Sequence, residues 1–129
     1  MAGTGRPSRI GAITVFAADL AASRDFYRRL LGSEPIFEDA DSAAFRTGEA
    51  IVNVLQAEAV PGLIAPAERA PRGVGSVPTL VVEDVDLTVA TLSEVGLEPF
   101  SGPINRPWGL RTVNYRDPDG FLWELSRGP

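Results

Sequence analysis

Near its end the chain runs Asp117-Pro118-Asp119-Gly120-Phe121-Leu122-Trp123-Glu124-Leu125, and the rest of the sequence can be read outward from there. The first four residues are turn chemistry: Asp at the first position, Pro presetting φ at the second, Gly at the last. Apolar-rich runs flank them, Leu110–Arg116 and Phe121–Leu125, so a hairpin is expected. Strand alternation sends Trp123 one way and Glu124 the other, with Leu122 and Ser126. Trp123 belongs in the core by that parity. A carboxylate set among Leu and Trp is costly to bury alone, and Arg111 or Arg106 can pair with it. Val113 and Tyr115 share the core parity, which leaves Thr112 and Asn114 on the same face as Glu124.

The preceding chain builds up to this hairpin twice. Arg9–Ala17 is short and β-prone. Asp19 is a good N-cap for a helix over Leu20–Leu31, and Gly32 a natural stop for it. Strands follow at Pro35–Phe37, Ser42–Arg46 and Ala50–Gln56. The stretch 57–75 is rich in Ala, Pro and Gly and predicts neither helix nor strand. The pattern then restarts: a strand over Val77–Val82, a helix capped by Asp84 or Asp86 with Leu87, Val89, Leu92 and Val95 as its apolar stripe, and a stop at Gly96. Gly32-x-Glu34-Pro35 recurs as Gly96-x-Glu98-Pro99. The sequence therefore predicts one α+β domain over 1–129, made of two βαβββ modules (9–56 and 76–127) joined by the linker 57–75.

Composition narrows the chemistry. At 129 residues and 44% hydrophobic, the chain has enough material for one real core. It has no long apolar run and no signal-like start, so a cytoplasmic protein that does not enter a membrane is expected. The formal net charge is −5, and all twelve basic residues are scattered Arg, which disfavours nucleic acid as a partner. Cys and His are both absent. That removes thiol nucleophiles, the commonest general base and the usual zinc or iron ligands.

The repeated module, together with Asp19-Leu20, Ser23, Phe26-Tyr27, Leu31-Gly32, Asp84-Val85-Asp86 and the closing hairpin, resembles the vicinal oxygen chelate superfamily (glyoxalase, bleomycin-resistance and dioxygenase proteins). The resemblance implies that the two modules form a curled, open mixed sheet around a cleft, and commonly a homodimer that can exchange modules or N-terminal arms. Metal-using members place a His on the first strand, a His opening the second module and a Glu on the last strand. Those positions fall near Ala12, near Val77 and at Glu124, while a fourth lies somewhere in Val52–Gln56. No metal and no cofactor is expected. The resemblance points instead to the metal-free, antibiotic-binding branch, where Pro-Trp-Gly before the last hairpin carries a ligand-stacking Trp; Pro107-Trp108-Gly109 stands there.

The candidate ligand contacts are Trp108, Arg111, Asn114, Glu124, Thr112, Asn53, Phe37, Phe45 and Phe100. Trp108, held between Pro and Gly outside a strand, can stack on a flat ligand. Asn114 and Asn53 offer a donor and an acceptor without charge. The three Phe residues can line the cleft or fill the core. The expected function is binding and sequestration of a small aromatic natural product or antibiotic. Two alternatives stay open: a metal-free isomerase, cyclase or lyase using Glu124 as acid or base, and a non-catalytic assembly or regulatory module.

Overall fold

A computed structural model describes residues 5–6, 8–70 and 74–128, so most of an expected N-terminal arm (1–4 and 7) and part of the linker (71–73) lie outside the described residues. The first module holds β1 (Ala12–Ala17), α1 (Leu20–Leu31), β2 (Phe37–Glu38), β3 (Ser42–Thr47) and β4 (Ala50–Gln56). A 3-10 turn at Ala57–Ala59 and α2 (Val60–Ile64) follow. The second module holds β5 (Thr79–Val81), α3 (Val85–Glu94), β6 (Ser101–Asn105), β7 (Arg111–Arg116) and β8 (Leu122–Ser126).

Each module makes one four-stranded sheet of the same topology, β1-β4-β3-β2 and β5-β8-β7-β6. The first and last strands of each module pair in parallel and the rest are antiparallel. Ile13 and Ile51 share a cavity wall with Pro78–Val81, and Thr14 and Phe16 share another with Ser76 and Leu122. The β1 and β5 edges therefore lie side by side without a ladder between them, and the two sheets form one curled, open surface.

The expected helix signals hold. The Asp19 carboxylate accepts from the Ala22 N–H and the Asp84 carboxylate from the Leu87 N–H, each satisfying a first-turn donor. Gly32 (φ 68°) and Gly96 (φ 83°) take the left-handed conformation that ends each helix. Three expectations are corrected. Part of the linker is helical: Pro61 sits in the first turn of α2, where its missing N–H costs nothing, and Val60 is fully buried beneath it. β5 is shorter than Val77–Val82. In α3 the buried residues are Val85 and Leu92, with Val89 packed against the core, whereas Leu87 and Val95 are exposed. A helix repeat of 3.6 residues carries Leu87 and Val95 off that face.

One core runs through both modules, including Val15, Phe26, Tyr27, Phe45, Val54, Val113, Tyr115, Trp123 and Leu125. Trp123 is 1% exposed, as its parity predicts. Its ring lies 6.1 Å from that of Tyr27 in an edge-on arrangement, and Tyr27 in turn meets Phe26 at 5.0 Å. Phe45 is fully buried against this group, so it is core and does not line the cleft. On β3 it alternates with Ala44 and pairs with the buried Val52.

The closing turn clamps the two modules together. Asp117 is buried; one carboxylate oxygen accepts from the Asp119 and Phe121 N–H groups and the other from the Tyr27 hydroxyl at 2.6 Å. The Trp123 indole N–H donates to the same Tyr27 oxygen. Asp119 accepts from the Ala18 N–H and from the Ser23 hydroxyl, at the start of α1. Burial pushes the Asp117 carboxyl above its ordinary range even though these hydrogen bonds favour the charged form.

Burial, then the Asp117 charge, raises the Tyr27 phenol far above its usual value, and burial raises Tyr115 as well. These are the only tyrosines in the chain. A phenol whose folded pKa is raised contributes stability that is fully present below about pH 10 and lost as pH rises beyond it, because the unfolded chain then binds fewer protons. Alkaline titration should therefore show tyrosinate absorbance appearing together with loss of circular dichroism, in one step. Tyrosinate forming near pH 10 in a chain that keeps its fold would contradict this.

Candidate functional site

Strand pairing fixes which side chains share the face of each sheet away from the core. On the second sheet one row runs Thr79, Glu124, Asn114, Ser101. The next runs Val81, Ser126, Thr112, Ile104. Glu124 is half-buried and accepts from the Thr79 hydroxyl at 2.8 Å. Asn114 stands across from it with its own side chain half-buried. Both occupy the cleft face their alternation predicts.

On the first sheet the equivalent row is Thr14, Asn53, Ala44, Phe37. Its register settles what the sequence left open: Asn53 pairs with Thr14 as Glu124 pairs with Thr79, so Asn53 occupies in module one the place Glu124 holds in module two. Ala12 lies on the same face as Thr14, one pleat before it.

Two candidate contacts do not reach the cleft as expected. Arg111 falls on the opposite face from Thr112 and Asn114. Its guanidinium makes a two-pronged pair with Asp86 at the start of α3 and a further bond to Asn105, so it does not neutralise Glu124. That pairing holds the Asp86 carboxyl below the usual range. Thr112 does face the cleft side, but Arg106 Nε donates to its hydroxyl and it is 1% exposed, which seals it from a ligand.

The aromatic candidates are open. In the turn Arg106–Gly109 the Gly109 N–H bonds back to the Arg106 carbonyl, and Trp108 projects from it, 67% exposed. The Arg106 guanidinium lies 5.8 Å from the Trp108 ring centre. Phe100 is half exposed beneath Arg116, at 4.3 Å, and Phe37 is exposed on the two-residue strand β2. Sequence reasoning missed Phe16, which shares the cleft face with Thr14 and carries the Arg69 guanidinium over its ring at 5.8 Å. One face of β1 carries Ala12, Thr14 and Phe16 and the other Ile13, Val15 and Ala17, a weak contrast for alternation to read. It also missed the Ser23, Tyr27, Asp117 and Asp119 clamp. The cue was there, in a Ser and a Tyr one helical turn apart on an otherwise buried stripe.

Paired βαβββ modules with their last strands set against their first define a fold class, and comparison with known proteins places the chain within it. Residues 9–125 match the family described as the Glyoxalase/Bleomycin resistance protein/Dioxygenase superfamily, and the chain belongs to that superfamily. Among solved structures it is similar to a glyoxalase/bleomycin resistance protein from Catenulispora acidiphila (27% identity, TM-score 0.70, covering 95% of this chain and 100% of that one). It is also similar to a glyoxalase/bleomycin resistance protein/dioxygenase from Nocardioides (25% identity, TM-score 0.73, 96% and 85% covered). A glyoxalase-related enzyme from Fulvimarina pelagi shares the fold (21% identity, TM-score 0.78, 93% and 88% covered). No curated protein matches the sequence.

A metal of the kind this superfamily uses does not fit the donors here. Near the positions where the resemblance puts ligands, the chain offers Ala12, Val77, the cleft-facing Asn53 of Val52–Gln56, and Glu124: two hydrocarbons, one amide and one carboxylate already engaged by Thr79. Transition ions want imidazole, thiolate or several carboxylates. Among the described residues no three His, Cys, Asp or Glu side chains group so as to hold an ion. Among the described residues no helix is long and apolar enough to cross a membrane.

Proposed function

We propose that the protein is a metal-independent binding protein whose cleft holds a small aromatic compound, a natural product or antibiotic, and protects by sequestration. What supports this is the absence of His and Cys from the chain, together with cleft-face rows in which Thr14 pairs with Asn53 and Thr79 with Glu124, a single carboxylate. Around them stand open aromatic surfaces at Trp108, Phe100 and Phe37, with Asn114, Asn53 and Glu124 to orient a ligand. Binding then rests on ring stacking, which contributes about 0.5–1.5 kcal/mol per aromatic pair beyond apolar burial, so several rings are needed for tight affinity. A melting-temperature screen against aromatic compounds, followed by recovery of each hit after long incubation, tests the reading. Hits recovered unchanged support sequestration. Conversion of the hit points to the isomerase, cyclase or lyase alternative with Glu124 as acid or base, and a screen without hits points to an assembly or regulatory module.

The cleft is also read as completed by a second copy of the chain. β2 and β6 leave open edges, and Phe37, Val81, Ile104 and Trp108 are apolar surface left in water. Light scattering at micromolar concentration is expected to give twice the 13.7 kDa chain mass. A monomer mass contradicts it.

A further inference from the structure

We propose that the linker-covered end of the cleft is a subsite for a single-ring carboxylic acid, with Arg69 selecting the acid. This rests on the reading of the cleft as a ligand site and names the chemistry of what enters it. Between β1, residues 69–70 and 74–76, and the start of β8 lies a cavity of about 250 Å³. Thr14, Phe16, Ser76, Phe121 and Leu122 line it, and Arg69 stands at its wall.

Three features assign the ligand class. Arg69 is held over the face of Phe16, yet among the described residues it donates no hydrogen bond and has no ion-pair partner, unlike Arg24, Arg28, Arg29 and Arg111. Carboxylates nearby are otherwise engaged. Asp119 also lines the cavity, but its two oxygens accept from the Ala18 N–H and the Ser23 hydroxyl. Glu58, which feels the Arg69 charge only weakly, is tied to the Gln56 amide at 2.7 Å. An unneutralised guanidinium beside an apolar, aromatic wall calls for a planar anion with a hydrophobic body, because a carboxylate meets the guanidinium fork with two parallel hydrogen bonds. The volume falls just below the roughly 300–1,000 Å³ of drug-sized pockets, which suits one ring rather than several.

Calorimetric titration of the full chain with benzoate and phenylacetate, against benzamide and phenylacetamide, tests this. The acids are expected to bind at least about tenfold more tightly than the amides, the loss expected when one charge-assisted contact is removed. Arg69→Gln should reduce the acids to the level of the amides without changing the melting temperature, since Arg69 is exposed. Arg29→Gln, on α1 and paired with Asp25, should leave the acid preference intact. Equal binding of acids and amides, or an acid preference that survives Arg69→Gln, overturns the subsite while leaving the cleft as a ligand site. Failure of all four probes to bind also overturns the subsite, and the wider aromatic screen then decides the cleft reading separately.

Discussion

Trp123→Ala is expected to lower stability by about 3–5 kcal/mol, the range for emptying a fully buried aromatic site. Trp123 is 1% exposed and packs on Tyr27 and on Phe121. Its indole N–H also donates to the Tyr27 oxygen, which is held by Asp117, so the truncation removes one contact of the clamp between modules. Domains of this size have only about 5–15 kcal/mol in total. The melting temperature should fall on the order of 10–20 °C. Denaturant unfolding read by circular dichroism measures the change directly. A loss under about 1 kcal/mol would mean that the ring is not packed as described.

Trp108→Ala is expected to do the reverse, leaving stability nearly unchanged while weakening ligand binding by about 2 kcal/mol, or roughly thirtyfold. The ring is two-thirds exposed in a turn whose backbone bond, Gly109 N–H to the Arg106 carbonyl, does not involve the side chain. It contributes little to the core and presents a wide rigid face to a ligand. Titration with any hit from the melting screen, in parallel with a melting curve, reads both quantities. A variant that melts early and binds normally would reverse the roles of the two tryptophans.

Local rules made much of the fold legible. The repeated Asp cap, Gly stop and Glu-Pro announced both modules, and strand parity placed Trp123 inward and Glu124 and Asn114 outward. What escaped the sequence depended on residues far apart in the chain. Asp117 reads as an ordinary turn residue, and only the fold brings Tyr27 to it from 90 residues away. Arg111 looked available to Glu124 by nearness in sequence, but parity turns it to Asp86. Phe16 shares its face of β1 with Ala12 and Thr14, and Phe45 its face of β3 with Ala43 and Thr47, so alternation drew too little contrast to say which of them enters the cleft; it is Phe16. The linker hid a short helix because its Pro and Ala content argues against regular structure, while a single buried side chain, Val60, anchors it. The metal-ligand positions were legible in part. Within Val52–Gln56, register puts Asn53 on the cleft face opposite Thr14.

The central claim is that this cleft binds its ligand without a metal. It is tested most directly by titrating one ligand into protein of known elemental content, before and after exhaustive chelation. Far less than one Zn, Fe, Ni or Mn per chain is expected after gel filtration, with the same affinity in both titrations. Close to one such ion per chain, with binding lost on chelation and restored by adding the ion back, would contradict it.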